Sequence, residues 1–135
     1  MSTGKSIPRV DAWEKVTGRA KYTEDLADRN ALTGKILHST IANGLVKKMD
    51  ISEAEKIPGV VKIITCFDVP DYPYPTAGHP WSTDPSHRDP MDRRLLNKRV
   101  RLYGDDIAAV IAEDEVSACR ALRAIKVSMK NTRWY

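Results

Sequence analysis

Apolar and polar positions are distributed unevenly along the chain. From residue 1 to residue 30 no period is sustained: Ile7, Val10, Trp13 and Leu26 stand singly among polar neighbours, with Pro8 and Gly18 interrupting. That pattern predicts an extended arm lying on a surface supplied from elsewhere. From Ala31 the pattern tightens. ALTGKILHS at 31–39 groups Leu32, Ile36 and Leu37 around Gly34, which predicts a short strand with a bulge or a close backbone approach. Asn43-Gly44 is a strong turn dipeptide and LVKKMDI at 45–51 reads as a second strand, so a hairpin is expected.

Ser52 stands where a hydroxyl can accept from an orphan N–H, with Glu53 and Glu55 near the positive end of a helix dipole, so a short helix is expected over 52–57. Pro58-Gly59 stops it, and VVKIITC at 60–66 starts a strand of β-branched residues. Pro70, Pro73, Pro75, Pro80, Pro85 and Pro90 then break any regular element, so 68–92 is expected to be a long Pro-rich loop and the surface readiest to meet a partner. Beyond it, Val100–Tyr103 and Ile107–Glu113 read as strands separated by Gly104-Asp105-Asp106. The run Ile107–Ala112 is apolar on both faces, which predicts a central, covered strand. Asp114 is placed to cap a helix over 115–126 that turns Ala118, Leu122 and Ile125 to one side. The expected class is α+β: a small mixed sheet with two helices in a single domain, its arm at 1–30, its core at 31–127 and a tail at 128–135.

Composition narrows the functional classes. With 135 residues, 41% hydrophobic and 30% charged, the chain suits one folded domain and gives no sign of disorder. No apolar run approaches the ~20 residues a membrane helix needs, and MSTGKSIPRVDAWEK lacks the apolar core of a secretion signal, so no membrane partner and a cytoplasmic location are expected. Cys66 and Cys119 are far apart in sequence and both sit in apolar segments, the pattern of buried reduced thiols rather than of a zinc or iron–sulfur site. The net charge of +4 is dispersed except at Arg93, Arg94, Lys98, Arg99 and Arg101, a cluster that hints at an acidic partner or simply at a solvated edge.

The candidate chemistry is thin. His38 is alone at a strand end, while His79 and His87, with Asp84 and Asp89 nearby, match no metal-ligand spacing. No nucleophile elbow, dinucleotide fingerprint or phosphate loop is present. Tyr72, Tyr74 and Trp81 beside the basic cluster suit a protein contact better than a nucleic-acid stacking platform, because the charge is modest.

At four places the sequence resembles a known family: KSIPRVDAWEKVTGRAKYTEDL at 5–26, ALTGKILHSTIANGLVKKMDIS at 31–52, SEAEKIPGVVKIITCFDVPD at 52–71 and VRLYGDDIAAVIAEDEVSACRALRAIKV at 100–127. Together they are similar to the amino-terminal α/β-hammerhead domain of the molybdenum-binding subunit in the xanthine dehydrogenase and aldehyde oxidase family. The resemblance implies a parent enzyme that hydroxylates purines or aldehydes with a molybdopterin cofactor, passing electrons through 2Fe-2S clusters to FAD. TAGHPWSTDPSHRD at 76–89 leans toward the purine-directed branch. In the family the pterin-binding segments and the catalytic glutamate lie in later domains, so the resemblance assigns this chain no catalytic, cofactor-binding or metal-binding residue. Its implied partners are the molybdopterin-binding domains and the iron–sulfur and FAD subunits. One departure stands out: where relatives continue with an acidic, Tyr-containing stretch, this chain reads SMKNTRWY at 128–135, so an atypical tail left by truncation, frameshift or deliberate shortening is expected.

The reading that results is a scaffold domain, inactive by itself, whose apolar arm residues Ile7, Val10 and Trp13 mark the interface with its neighbours and favour self-association into a homo-oligomer when those are missing. Two rivals stay open. A stand-alone interaction module would bind an acidic protein or nucleic acid through the Pro-rich loop and basic cluster, with strong salt dependence. A small metal-dependent hydrolase built on His79 and His87 would carry stoichiometric divalent metal.

Overall fold

A computed structural model describes residues 4–28, 30–75 and 91–132. The chain divides into two compact units, Met1–Ala31 and Leu32–Tyr135.

The first unit carries two short helices, α1 (Ala12–Val16) and α2 (Thr23–Leu26), where an extended arm was expected. Local side-chain bonds account for the difference. Lys15 pairs with Asp11 at 2.7 Å, the Thr17 hydroxyl donates to the Trp13 carbonyl at 2.7 Å, and Gly18 leaves α1 with φ +69°. At α2 the Asp25 carboxylate accepts the Tyr22 N–H at 2.9 Å. Neither helix buries a residue, so no apolar period existed for the sequence to display.

The second unit contains β1 (Thr33–His38), β2 (Gly44–Asp50), β3 (Val60–Thr65), β4 (Arg99–Val100), β5 (Asp106–Ala112), α3 (Glu115–Ala124) and β6 (Lys126–Asn131). Its strands form two three-stranded sheets, β1-β5-β3 and β4-β2-β6, and every pairing is antiparallel. The α+β class holds, while the single mixed sheet expected from sequence is corrected to two antiparallel ones. A parallel pair needs a long crossover inside one sheet, and the one crossover helix among the described residues of this unit, α3, instead carries the chain from β5 in the first sheet to β6 in the second.

β5 is the central strand of its sheet and buries Ile107, Ala108, Val110 and Ala112, as its two-sided apolar run predicts. On one face Val110 and Ala112 meet Ala118, Ala121 and Ile125 of the α3 segment, with Ile63 and Ala54 completing that core. On the other, Ile107 packs with Val46, Val100, Cys66 and Leu96 between the two sheets. The Asp114 carboxylate accepts the Ser117 N–H at 2.8 Å and so caps α3 as expected. The helix ends at Ala124 rather than 126, because Ile125 turns to ψ 125° and starts the approach to β6. Residues 128–131, read from the sequence as the start of a tail, continue β6 along β2.

Two further expectations are corrected. Residues 52–57 form turns and no helix: the Asp50 carboxylate accepts both the Ser52 N–H (3.1 Å) and its hydroxyl (2.7 Å), which takes the proposed cap away from the helix start. Six residues before a proline are also too few to repay helix nucleation, and the segment still buries Ala54 through its turns. The hairpin across Asn43-Gly44 does not form either, since β1 and β2 belong to different sheets. The Asn43 amide instead donates to the Thr132 carbonyl at 2.9 Å, and a Cβ on Gly44 would collide with the Lys130 carbonyl oxygen, so the dipeptide seats β2 closely against β6. With no helix there, Pro58-Gly59 has none to stop; Gly59 at φ +85° turns the chain into β3. Tyr74, in the described part of the Pro-rich loop, forms a bridge with Arg93 just beyond its end.

Candidate functional site

Several of the polar groups singled out from the sequence are engaged within their own unit. The His38 Nδ1 lies 2.9 Å from Asp106 Oδ1 and 3.1 Å from the Gly104 carbonyl oxygen, where the β1–β5 register shifts. It closes the end of a strand pair. Among the described residues no three His, Cys, Asp or Glu side chains converge on a point that would hold a metal ion. His79, His87, Asp84, Asp89 and Trp81 lie outside the described residues.

The basic cluster does not present a bare cationic face. Arg94 pairs with Asp71, and the Arg101 guanidinium donates to the Asp92 carbonyl. Arg99 Nη1 donates to the carbonyls of Gly44 and Val100 at 2.8 and 2.9 Å. Lys98 holds its ammonium 5.2 Å from the centre of the Phe67 ring, a cation–π distance. The backbone of Arg93 is bound to Tyr74, whose hydroxyl donates to the Arg94 carbonyl at 3.4 Å. Arg94, Lys98 and Arg99 wall a groove of about 450 Å³ whose floor is Leu45, Cys66, Val69 and Leu96. Burial pushes the Cys66 thiol up from its ordinary value, which keeps it protonated and a weak nucleophile. Cys66 and Cys119 are both free thiols; Cys66 is buried and Cys119 half-buried.

What the sequence did not reveal is a face of the β1-β5-β3 sheet. Gly34 stands opposite Ile111 and Ile36 opposite Ala109, while Lys62 and Ile64 of β3 face the same two residues from the other side. This row lies on the side away from α3 and is only partly covered: Ile36 is 40% exposed. The signal was the glycine inside the ALTGKILHS strand. Exposed apolar side chains also mark the first unit, at Ile7, Val10, Trp13 and Val16. No described helix is long and apolar enough to cross a membrane.

Two small antiparallel sheets, one helix packed on the first of them, and polar groups bound largely to the unit's own backbone define a small α+β structural domain. The chain belongs to the aldehyde oxidase and xanthine dehydrogenase a/b hammerhead domain family, which it matches over residues 17–133. It is 44% identical over 119 residues to the xanthine dehydrogenase molybdenum-binding subunit of Escherichia coli O157:H7, covering 88% of this chain and 16% of that subunit. Among solved structures, the aldehyde oxidoreductase from Desulfovibrio desulfuricans superposes with a TM-score of 0.77 at 34% identity, covering 98% of this chain and 15% of that one. The aldehyde oxidoreductase from Desulfovibrio gigas gives 0.75 at 33% identity, over 95% of this chain and 14% of that one. The chain thus spans about one sixth of the length of the relatives it matches.

Proposed function

We propose that the chain is the scaffold domain of a xanthine dehydrogenase-like molybdenum hydroxylase acting on purines or aldehydes, and that it contributes no catalytic, cofactor-binding or metal-binding residue to the reaction. The observation that carries this reading is the family match over 17–133 in a structure whose described polar groups serve mainly its own strands and turns. Its partners in the proposal are the molybdopterin-binding domains and the iron–sulfur and FAD subunits of the parent enzyme. Ile7, Val10 and Trp13 are the arm side chains that meet them, and self-association is what those residues do when alone. The free thiols agree with a reducing, cytoplasmic setting.

Molybdopterin, which the family implies, does not fit the described residues. Binding its phosphate would require uncommitted donors, but Arg94 is paired with Asp71 and Arg99 holds two backbone carbonyls. The domain's part is to bury surface and fix the position of its neighbours.

A graft tests the proposal. Residues 17–133 replace the matching segment of the Escherichia coli O157:H7 subunit, and xanthine oxidation is measured on the purified chimera. The expected result is turnover within about threefold of the parent, a barrier change below ~1 kcal/mol. A folded, molybdenum-loaded chimera without turnover would overturn it, because the exchanged segment would then hold residues the reaction needs.

A further inference from the structure

Asn43-Gly44 joins an amide side chain to a backbone nitrogen that no neighbouring Cβ shields. That pair can react with itself. The Gly44 nitrogen attacks Asn43 Cγ, the Cγ–Nδ2 bond breaks, and ammonia leaves with the Gly44 amide proton, giving a cyclic imide. Water then opens the ring at either carbonyl. The product is an aspartate, or an isoaspartate whose main chain runs through the side-chain carbon. No oxidant or enzyme is required.

The fold withholds the first step. Asn43 is only 5% exposed, and both of its polar ends are held by Thr132, directly after β6. Its Nδ2 donates to the Thr132 carbonyl at 2.9 Å, and its own carbonyl accepts the Thr132 N–H at 3.0 Å. Gly44 begins the central strand of its sheet, opposite Asn131 on one side and Val100 on the other. Its carbonyl accepts from Arg99 Nη1 at 2.8 Å. Closing the ring rotates both the Asn43 side chain and the Asn43-Gly44 peptide, so it has to break the bonds to Thr132. Packing also retains the reactive pair, because a Cβ at Gly44 would collide with the Lys130 carbonyl oxygen.

The products do not fit the site that the asparagine leaves. An aspartate sets an oxygen where the amide nitrogen donated to the Thr132 carbonyl, so the carboxylate is desolvated and faces another acceptor. An isoaspartate lengthens the main chain by a carbon directly ahead of Gly44, where even a methyl group has no room.

We propose that Asn43 is a latent deamidation site, silent while β6 lies along β2, converted when the end of β6 lifts, and thereafter an obstacle to its return. The inference stands on the β2–β6 contact and is independent of the scaffold reading.

The test follows the 135-residue chain during incubation at mildly alkaline pH, with peptide mass spectrometry reading the amide-to-acid mass gain at Asn43. Conversion in native buffer is expected to be at least ~10-fold slower than in denaturing urea, since only the locally opened fraction reacts. Equal rates would overturn the inference. Met129→Ala thins the packing of β6 and leaves both reacting residues in place, so it is expected to speed native conversion several-fold with no change in urea. A folded Met129→Ala chain that converts at the parent's rate would overturn β6 as the gate. Should that variant not fold, the parent in urea below its unfolding transition serves instead: conversion is expected to rise there, and a flat rate would overturn the gate. Asn43→Asp supplies one product directly. Amide exchange at Val127 and Met129 is expected to be faster in this variant than in the parent, and unchanged exchange would overturn the obstacle to β6's return.

Discussion

Asp114 joins the central strand to the helix that covers it. Its carboxylate accepts the Ser117 N–H and hydroxyl, both at 2.8 Å, and these two bonds hold its pKa below the ordinary value of 3.8, the backbone bond contributing most. Because the folded carboxyl titrates below the unfolded one, the cap's contribution is fully present above that ordinary value and is lost as pH falls through the lower folded value. Asp114→Ala is therefore expected to lower the thermal midpoint by a few degrees at neutral pH. The gap between variant and parent should close progressively in acid, which a melting series running from neutral pH down past the carboxylate range would detect. A gap independent of pH would mean that the helix start does not rely on the ionised carboxylate. Asp68, bound by the Thr65 hydroxyl and N–H at 2.6 and 2.8 Å, is held below its ordinary value by the same kind of contact and likewise loses its contribution in acid.

Between elements, the decisive contact is that of β2 with β6. Gly44 opens β2 directly against the Lys130 carbonyl, and Ile41 closes in as well, so even a methyl group has no room. Gly44→Ala is expected to cost about 1–3 kcal/mol and to loosen the β6 edge first, seen as faster amide exchange at Val127 and Met129 in hydrogen-exchange measurements. Unchanged stability and exchange would contradict the packing described for this sheet. The same dipeptide shows where the sequence was legible and where it was not. Asn43-Gly44 marks a real break between strands, and Ile107–Ala112 gives the central strand from its two-sided apolar run. Which strands pair is written in neither. Asn43-Gly44 has the composition of a tight hairpin turn, but its bonds go to Thr132 and its close approach is to Lys130, both far along the chain. At 52–57 the local signals were again real but incomplete: Ser52 does bond locally, though to Asp50 rather than to a helix.

The molecule as a whole is defined by groups that serve their own unit. The basic cluster, which as a string of residues invites an acidic partner, folds into bonds with Asp71, the Asp92, Gly44 and Val100 carbonyls and the Phe67 ring. No periodicity in the sequence foretells such commitments, since they depend on which strands meet. The family resemblance was legible in four phrases that span most of the chain, and the match over 17–133 agrees with it. The sheet row around Gly34 was half legible: a glycine within an apolar strand stood out, but only the register placed Ile36, Ala109 and Ile111 beside it.

A scaffold role requires that the chain by itself hold no molybdenum site. Molybdenum content, measured per chain on protein purified from cells that make the cofactor, addresses this directly. The expected value is far below one atom per chain; a value near one would contradict the scaffold role and place a molybdenum site within these 135 residues.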